Sequence, residues 1–424
     1  MAFRAVKGMN DILPNASGRW QRLEATFRRH ADLHGFEEVR VPILEHTELF
    51  VRSIGEVTDI VEKEMYSFVH RDEALTLRPE GTAGVARALV EHKLYATAPV
   101  TRWYYLGPMF RAERPQRGRL RQFHQAGCEI FGDPGPACDA ELISMIVDLL
   151  TDLGVAELEV AINSLGGPGT RARYRQALLG YLAPRAGELS DTARARLEAN
   201  PLRILDSKHP RDVEVCAAAP SILDVLDAED RAHFDGLRAA LDALGTPYAV
   251  EPRLVRGLDY YTHTSFEIRS RAGELGSQNT LAGGGRYDAM VAELGGPGTP
   301  AIGFAMGLER ILLALPEPAP SPRRGCFLAP MGQAATSRAL GLARELRAAG
   351  VRAELDARGG SLRSLLRRAD GSGARVCIVL GDAELGRGVA QVKDLELHAQ
   401  EDVPLPEVVA HAAALTGSAA EAAS

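Results

Sequence analysis

Between Phe110 and Phe131 the chain reads FRAERPQRGRLRQFHQAGCEIF, and no other stretch constrains the fold as tightly. The pattern is that of a strand, a basic loop and a returning strand. Residues two apart on a strand share a face. Arg111 and Glu113 are therefore predicted to point the same way, and Phe123, Gln125, Gly127, Glu129 and Phe131 to line one face of the return. The loop carries Arg114, Arg117, Arg119 and Arg121 with no acid after Glu113, a net of +4 over residues 111–121. Gly127 has no side chain, which predicts a slot between the Gln125 amide and the Glu129 carboxylate. A cationic tip beside a polar slot suits a ligand with phosphate at one end and hydrogen-bonding groups at the other. The same charge pattern also describes a solvated surface loop.

With 424 residues, the chain is long enough for two or three domains and a sizeable core. The formal net charge of −7 argues against a protein-wide nucleic-acid footprint. That average conceals a second patch: residues 338–375 hold nine Arg against Glu345, Glu354, Asp356 and Asp370, a net of +5. Such a patch can steer a polyanion on an acidic protein; it also fits a solvated Arg-rich helix face. Cys128, Cys138, Cys216, Cys326 and Cys377 are scattered, odd in number and without a CxxC pair. They suggest neither a disulfide framework nor a structural zinc site, and fit a reducing cytoplasm. The N-terminal MAFRAVKGMNDILP lacks the apolar core of a signal peptide. No apolar run is long enough to span a bilayer. The expectation is a cytoplasmic protein with no membrane partner.

Along the chain, Trp20, Leu23, Phe27 and Ala31 fall at helical spacing, predicting a helix over Gly18–His34 stopped by Gly35. Phe36–Val41 reads as a strand closed by Pro42. LRPEGT at Leu77–Thr82 leads into a helix through about Leu94, and Thr101–Leu106 is a strand entering the hairpin. A helix over Ala140–Leu153 and a strand over Leu158–Ile162 follow. Residues 167–245 are Ala-, Leu- and Arg-rich with helical spacing, the texture of an inserted helical module. The run PEPAPSPRR from Pro316 makes a stiff linker. Beyond it strands and helices alternate, with strands at Cys326–Ala329, Val351–Leu355, Arg375–Leu380 and Val389–Val392. Helices are predicted at Ala335–Ala349, Ser361–Ala369 and Pro406–Leu415. This alternation predicts a small α/β domain, and the Ala/Ser/Glu-rich end after Thr416 a disordered tail.

The hairpin resembles motif 2 of class II aminoacyl-tRNA synthetases, a Phe-Arg-x-Glu strand, a variable loop and a return strand. Its fuller wording, RPQxGR followed by RQFHQ, is similar to that of the histidyl-tRNA synthetases. The helix, strand and Pro42 near the start resemble motif 1, which in class II enzymes builds the dimer interface. LVRGLDYYT at Leu254–Thr262 and LAGGGRYD at Leu281–Asp288 resemble the two signatures that set the histidyl enzymes apart. GFAMGLER at Gly303–Arg310 resembles motif 3, although GLER elsewhere is only a helix start and Gly283–Gly285 alone serve any tight turn. The resemblance runs from Lys7–Pro14 through the C-terminal domain.

This resemblance implies an α+β catalytic domain over 1–315 with an antiparallel class II synthetase sheet and a helical insertion at about 167–245. A linker at 316–324, a C-terminal α/β anticodon-binding domain at 325–416 and a tail at 417–424 complete the layout. In the family the insertion approaches the tRNA acceptor arm; the residues here fit inert packing equally. The implied activity is a histidine–tRNA ligase, a homodimer with L-histidine, ATP and tRNA(His) as substrates. Magnesium accompanies the triphosphate, and no protein-bound structural metal is expected.

Site residues carried over on matching positions are Arg111 for the α-phosphate and Arg256 as the further catalytic arginine, which stands where other class II enzymes use a metal ion. An arginine there is always charged and offers a fork of donors. Glu113 meets the adenine amino group, Arg119 covers the β,γ-phosphates, Arg310 meets the γ-phosphate, and Phe123 joins the ATP set. Glu129 and Tyr261 read the imidazole, with Arg256 and Tyr260 beside them. Leaving those groups unpaired rejects other side chains by roughly 10⁴-fold. Glu80, Thr82 and Gln125 hold the α-amino group; a helix cap for Thr82 and an interior hydrogen bond for Gln125 are the plainer readings. Arg114 and Gln116 meet the acceptor end of the tRNA. The rival reading is a catalytically silent paralogue, the regulatory subunit of ATP phosphoribosyltransferase. Such proteins typically lack the anticodon domain and the intact RGLDYY word.

Overall fold

Two ten-residue strands, Thr101–Phe110 and Gln122–Phe131, pair antiparallel along their whole length, with Thr101 opposite Phe131 and Phe110 opposite Gln122. The structure, a computed structural model, describes residues 3–55, 58–198, 200–255, 258–272, 275, 279–317 and 322–417. These fall into two compact units, one up to Pro316 and one from Glu317.

In the first unit the hairpin sits inside an eight-stranded sheet. From edge to edge the order is Glu37–Glu38, Thr101–Phe110, Gln122–Phe131, Ala301–Gly307, Thr280–Arg286, Thr262–Ser270, Leu158–Ser164 and Ala249–Val250. All neighbours are antiparallel except the two edge pairings. The alternation expected of the return strand holds. Ala126, Cys128 and Ile130 join a core with helices Pro14–Leu33 and Pro136–Asp152, through Leu23, Phe27, Ile143 and Ile146. Phe131 lies in a different core, with Tyr105, Tyr287 and the helix Thr82–Glu91. Each fully buried aliphatic side chain in these layers contributes about 1.5–3 kcal/mol relative to exposure.

Several boundaries differ from expectation for local reasons. The first helix begins at Pro14 rather than Gly18, because proline is preorganised for the first helical turn and its missing N–H is no loss there. Pro136 extends the later helix in the same way. The strand expected over Phe36–Val41 shrinks to Glu37–Glu38, since the Val41 carbonyl accepts from the Arg78 guanidinium instead of a ladder partner. The helix expected to reach Leu94 ends at Glu91, before Lys93 at φ 53°.

Residues 167–245 fold as helices, chiefly Pro168–Leu182, Asp191–Arg196, Pro210–Cys216 and Ala228–Leu244, with 3-10 turns between them. The second unit is a five-stranded sheet ordered Ala353–Leu355, Cys326–Met331, Val376–Gly381, Val389–Asp394 and Gln400–Pro404, with the first three parallel and the last two antiparallel. Helices Gln333–Ala348, Leu362–Gly371 and Val408–Thr416 accompany it. The edge strand Gln400–Pro404 escapes sequence reading because only Val403 of it is buried.

Candidate active site

The hairpin, the LRPEGT turn, the RGLDYY segment and the GLER helix converge on one cleft. Of the fourteen residues singled out from sequence, ten line it: Glu80, Thr82, Arg111, Glu113, Arg119, Phe123, Gln125, Tyr260, Tyr261 and Arg310. Glu129 is close by but fully buried behind Thr82. Arg114 and Gln116 are exposed beside the hairpin tip and do not line the cleft. Arg256 lies outside the described residues.

The cationic end is built from the hairpin. Arg111 is not on the strand, which stops at Phe110. The amide of Ala112 donates to the Glu64 carbonyl (2.7 Å), so the ladder ends there. The Arg111 and Glu113 side chains nevertheless stay 3.9 Å apart. Arg111 Nε donates to the Pro79 carbonyl (2.9 Å), and its guanidinium lies 5.2 Å from the Phe123 ring centroid, so hydrogen bond and cation–π contact fix it together. Glu113 also pairs with Arg119 at 2.9 Å. Arg310 closes this end: its Nε donates to the Gly118 carbonyl (2.9 Å) and its Nη1 to the Thr280 carbonyl (3.1 Å), tying the hairpin tip to a neighbouring strand.

The other end is polar and buried. Glu80 accepts the N–H groups of Thr82 (2.6 Å) and Ala83 (2.9 Å), so it caps the helix that Thr82 was expected to cap. Burial pushes the Glu80 carboxyl up, against the lowering effect of those donors. Thr82 turns its hydroxyl to Glu129 Oε1 (2.7 Å). Tyr287 donates to the other oxygen (2.5 Å). Burial drives the Glu129 carboxyl up to about 8, and the Tyr287 and Thr82 hydroxyls hold it from rising further. The slot expected over Gly127 is filled: a Cβ there would meet the Tyr105 hydroxyl at 2.5 Å. Gln125 Oε1 is buried, lines the cleft, and has no hydrogen-bond partner among the described residues. A buried acceptor without a donor is costly unless a ligand supplies one.

Gly283–Gly285 form a strand, not a tight turn. A Cβ on Gly284 would sit 2.1 Å from the Gly303 carbonyl oxygen, and one on Gly285 2.4 Å from that of Thr264. The glycines are needed for close strand packing. Sequence reasoning assigned no role to Tyr287, Tyr105, Glu309 or Arg78. Arg78, Tyr287 and Glu309 lie inside the LRPEGT, LAGGGRYD and GFAMGLER words, the signal available for them. Glu309 accepts the His124 amide (3.0 Å) and lies 2.9 Å from its ring Nδ1. Arg78 is buried and donates to the Pro108 and Val41 carbonyls, partners that no local pattern indicates.

The family model for histidyl-tRNA synthetase matches residues 8–311. The chain belongs to the histidyl-tRNA synthetase family. The anticodon binding domain model matches residues 325–415, within the second unit. A histidine–tRNA ligase of Sorangium cellulosum is 63% identical over 96% of this chain and 95% of its own. The apo structure of Staphylococcus aureus histidyl-tRNA synthetase superposes with a TM-score of 0.82 at 35% identity, covering 97% of this chain and 100% of that one. A Bacillus halodurans structure described as an ATP phosphoribosyltransferase regulatory subunit/histidyl-tRNA synthetase reaches a TM-score of 0.66 at 23% identity, covering 90% of this chain and 99% of that one. That last likeness is one of fold alone. The sequence identities over nearly the whole chain side with the ligase.

Proposed function

We propose that the protein is a histidine–tRNA ligase that activates L-histidine with ATP and passes the histidyl group to the 3′ end of tRNA(His). The observation carrying this reading is the convergence of ten side chains from four distant segments on one cleft, cationic at one end and buried-polar at the other. A carboxylate oxygen of histidine attacks the α-phosphorus of ATP. A P–O bond forms, the bond to the bridging oxygen of the β-phosphate breaks, and pyrophosphate leaves. Charge builds on phosphate oxygens, so fixed cations stabilise the transition state.

Arg111, held against Phe123, suits the α-phosphate, and Arg119 and Arg310 the far phosphates; the family pattern gives Glu113 the adenine amino group. Arg256 completes the catalytic pair on the strength of the RGLDYY word. Gln125 offers its unpaired oxygen to the α-amino group, alongside Glu80 and Thr82. Glu129 with Tyr260 and Tyr261 reads the imidazole. Arg114 and Gln116, exposed at the hairpin tip, suit the tRNA acceptor end, and the 325–416 domain the anticodon arm. Magnesium enters with the triphosphate as part of the substrate. Among the described residues no group of three or more His, Cys, Asp or Glu is placed to hold a metal ion. Nor is any helix among them long and apolar enough to cross a membrane. A homodimer formed through the region of Pro14–Val41, working in the cytoplasm, completes the proposal.

The test is histidine-dependent ATP–pyrophosphate exchange, with the other amino acids as controls. Exchange with histidine alone is expected. No exchange with any amino acid in folded protein would instead favour the regulatory paralogue.

A further inference from the structure

Leu258, Tyr260 and Tyr261 line the cleft from a segment that precedes the strand Thr262–Ser270. The helical insertion holds this segment. Arg171, on the helix Pro168–Leu182, extends Nη1 to the Tyr261 carbonyl (3.2 Å), and Nη1 and Nη2 to the Asp259 carbonyl (3.5 and 3.4 Å). Asn200 Nδ2 lies 3.2 Å from both Asp259 carboxylate oxygens. Arg203 brings Nε and Nη2 to Oδ1 at 3.2 and 3.0 Å, with only 12% of its side chain exposed. From the core side, the Asp259 amide donates to the Ile54 carbonyl (3.1 Å). A Cβ on Gly55, at φ +102°, would come within 3.0 Å of the Asp259 carboxylate. One residue is thus gripped by its amide, its carbonyl and its carboxylate, and two of the three grips come from the insertion. Charge-assisted bonds of this kind are about twice as strong as neutral ones and fix orientation.

We propose that the insertion is a clamp on the amino-acid side of the cleft, with Arg171, Asn200 and Arg203 acting as positioning residues that set Tyr260 and Tyr261 through Asp259. The proposal rests on the ligase reading above. It distinguishes the two small substrates. Arg111, Glu113 and Phe123 sit on the hairpin, outside the clamp, so loosening the clamp should disturb histidine and spare ATP.

The experiment is pyrophosphate exchange by the full chain with Arg203→Met, varying histidine and ATP separately. Losing a hydrogen-bonded partner of a charged group is expected to raise the histidine KM about tenfold, with the ATP KM within about twofold and the melting temperature nearly unchanged. Arg203→Lys should recover part of the loss, since it keeps the charge but not the fork. Adding Asp259→Asn to Arg203→Met should cost clearly less than the two single changes added together, because the Arg203–Asp259 contact is lost in both and only the Asn200 contact is lost anew. Should Arg203→Met fail to fold, Arg171→Lys and Asn200→Ala carry the same test. Equal rises in both KM values, or an unchanged histidine KM in a folded variant, overturn the clamp while leaving the ligase reading intact. Absence of exchange in the wild-type chain overturns both.

Discussion

Tyr287 donates its hydroxyl to Glu129 Oε2, joining the residue after one central strand to the return strand of the hairpin. Glu129 is fully buried, and burial raises its carboxyl from an ordinary 4.5 to about 8. A donated hydrogen bond favours the charged form, so removing the Tyr287 hydroxyl should raise the value further. Tyr287→Phe is expected to shift the rising limb of the pH dependence of kcat/KM for histidine to higher pH, by on the order of one unit. Measuring exchange between about pH 8 and 9.5 keeps free imidazole essentially neutral, and the same titration of the wild type corrects for the α-amino group of free histidine, which ionises in that range. An unmoved profile would separate Glu129 from histidine recognition. The sign for stability is the opposite of that for a salt-bridged acid. A folded value above the unfolded one means the native state holds the extra proton, so this contribution is complete below about 4.5 and is lost as pH climbs through about 8.

Gly303 faces the same carboxylate. A Cβ there would lie 1.6 Å from Glu129 Oε2 and 2.7 Å from the Cys128 carbonyl oxygen. The first atom belongs to a side chain held by two hydroxyls, and the second is backbone, so neither yields freely. Gly303→Ala is expected to destabilise by about 3 kcal/mol or more, read as a lowered denaturation midpoint with an unchanged slope. A midpoint equal to wild type would mean that Glu129 can leave its hydroxyl partners at little cost.

The hairpin and its facing were legible from Phe110–Phe131 because alternation is a direct consequence of strand geometry, and each motif carried its own turn chemistry. Tyr105 was not legible as the group filling the space over Gly127, since the pairing of residues 105 and 127 depends on register. The division of labour between Glu80 and Thr82 was hidden for a similar reason. Both fit a cap, and only the position of Glu129 draws the Thr82 hydroxyl away. Arg78 and Arg286 lie inside the LRPEGT and LAGGGRYD words without a role that the sequence assigns, and both are buried. Apart from Asp288, which stands 3.5 Å from Arg286, their partners are distant in sequence: Val41 and Pro108 for Arg78, and Asp133, Gly135 and Asp139 for Arg286.

Arg111 combines a hydrogen bond from Nε, an ion pair and a ring contact, which lysine cannot reproduce. Arg111→Lys should therefore behave nearly as Arg111→Ala. Both are expected to lower the rate of adenylate formation about 10²–10³-fold, with histidine binding by calorimetry within a few-fold of wild type. Single-turnover rates near wild type for the lysine variant would show that charge alone suffices at this position.

The Arg286–Asp139 pair predicts a stability effect remote from the cleft. Arg286 and Asp139 are 1% and 0% exposed, and Nη2 stands 2.6 Å from Oδ1. Arg286 also donates to the Asp133 and Gly135 carbonyls (2.9 Å each), while Asp139 accepts from Thr264 (2.5 Å) and lies 2.9 Å from the His233 ring. The pair thereby ties the helix Pro136–Asp152 to two central strands and to Ala228–Leu244 of the insertion. Removing one partner leaves a buried charge without its counterpart, so Arg286→Met and Asp139→Asn should each cost about 3–5 kcal/mol. The double variant should cost clearly less than their sum, because the second change relieves the charge exposed by the first. Denaturant titration of all four proteins reads the coupling directly. Additive losses would show that the surrounding hydroxyl, imidazole and carbonyl groups, rather than the opposite charge, satisfy each partner.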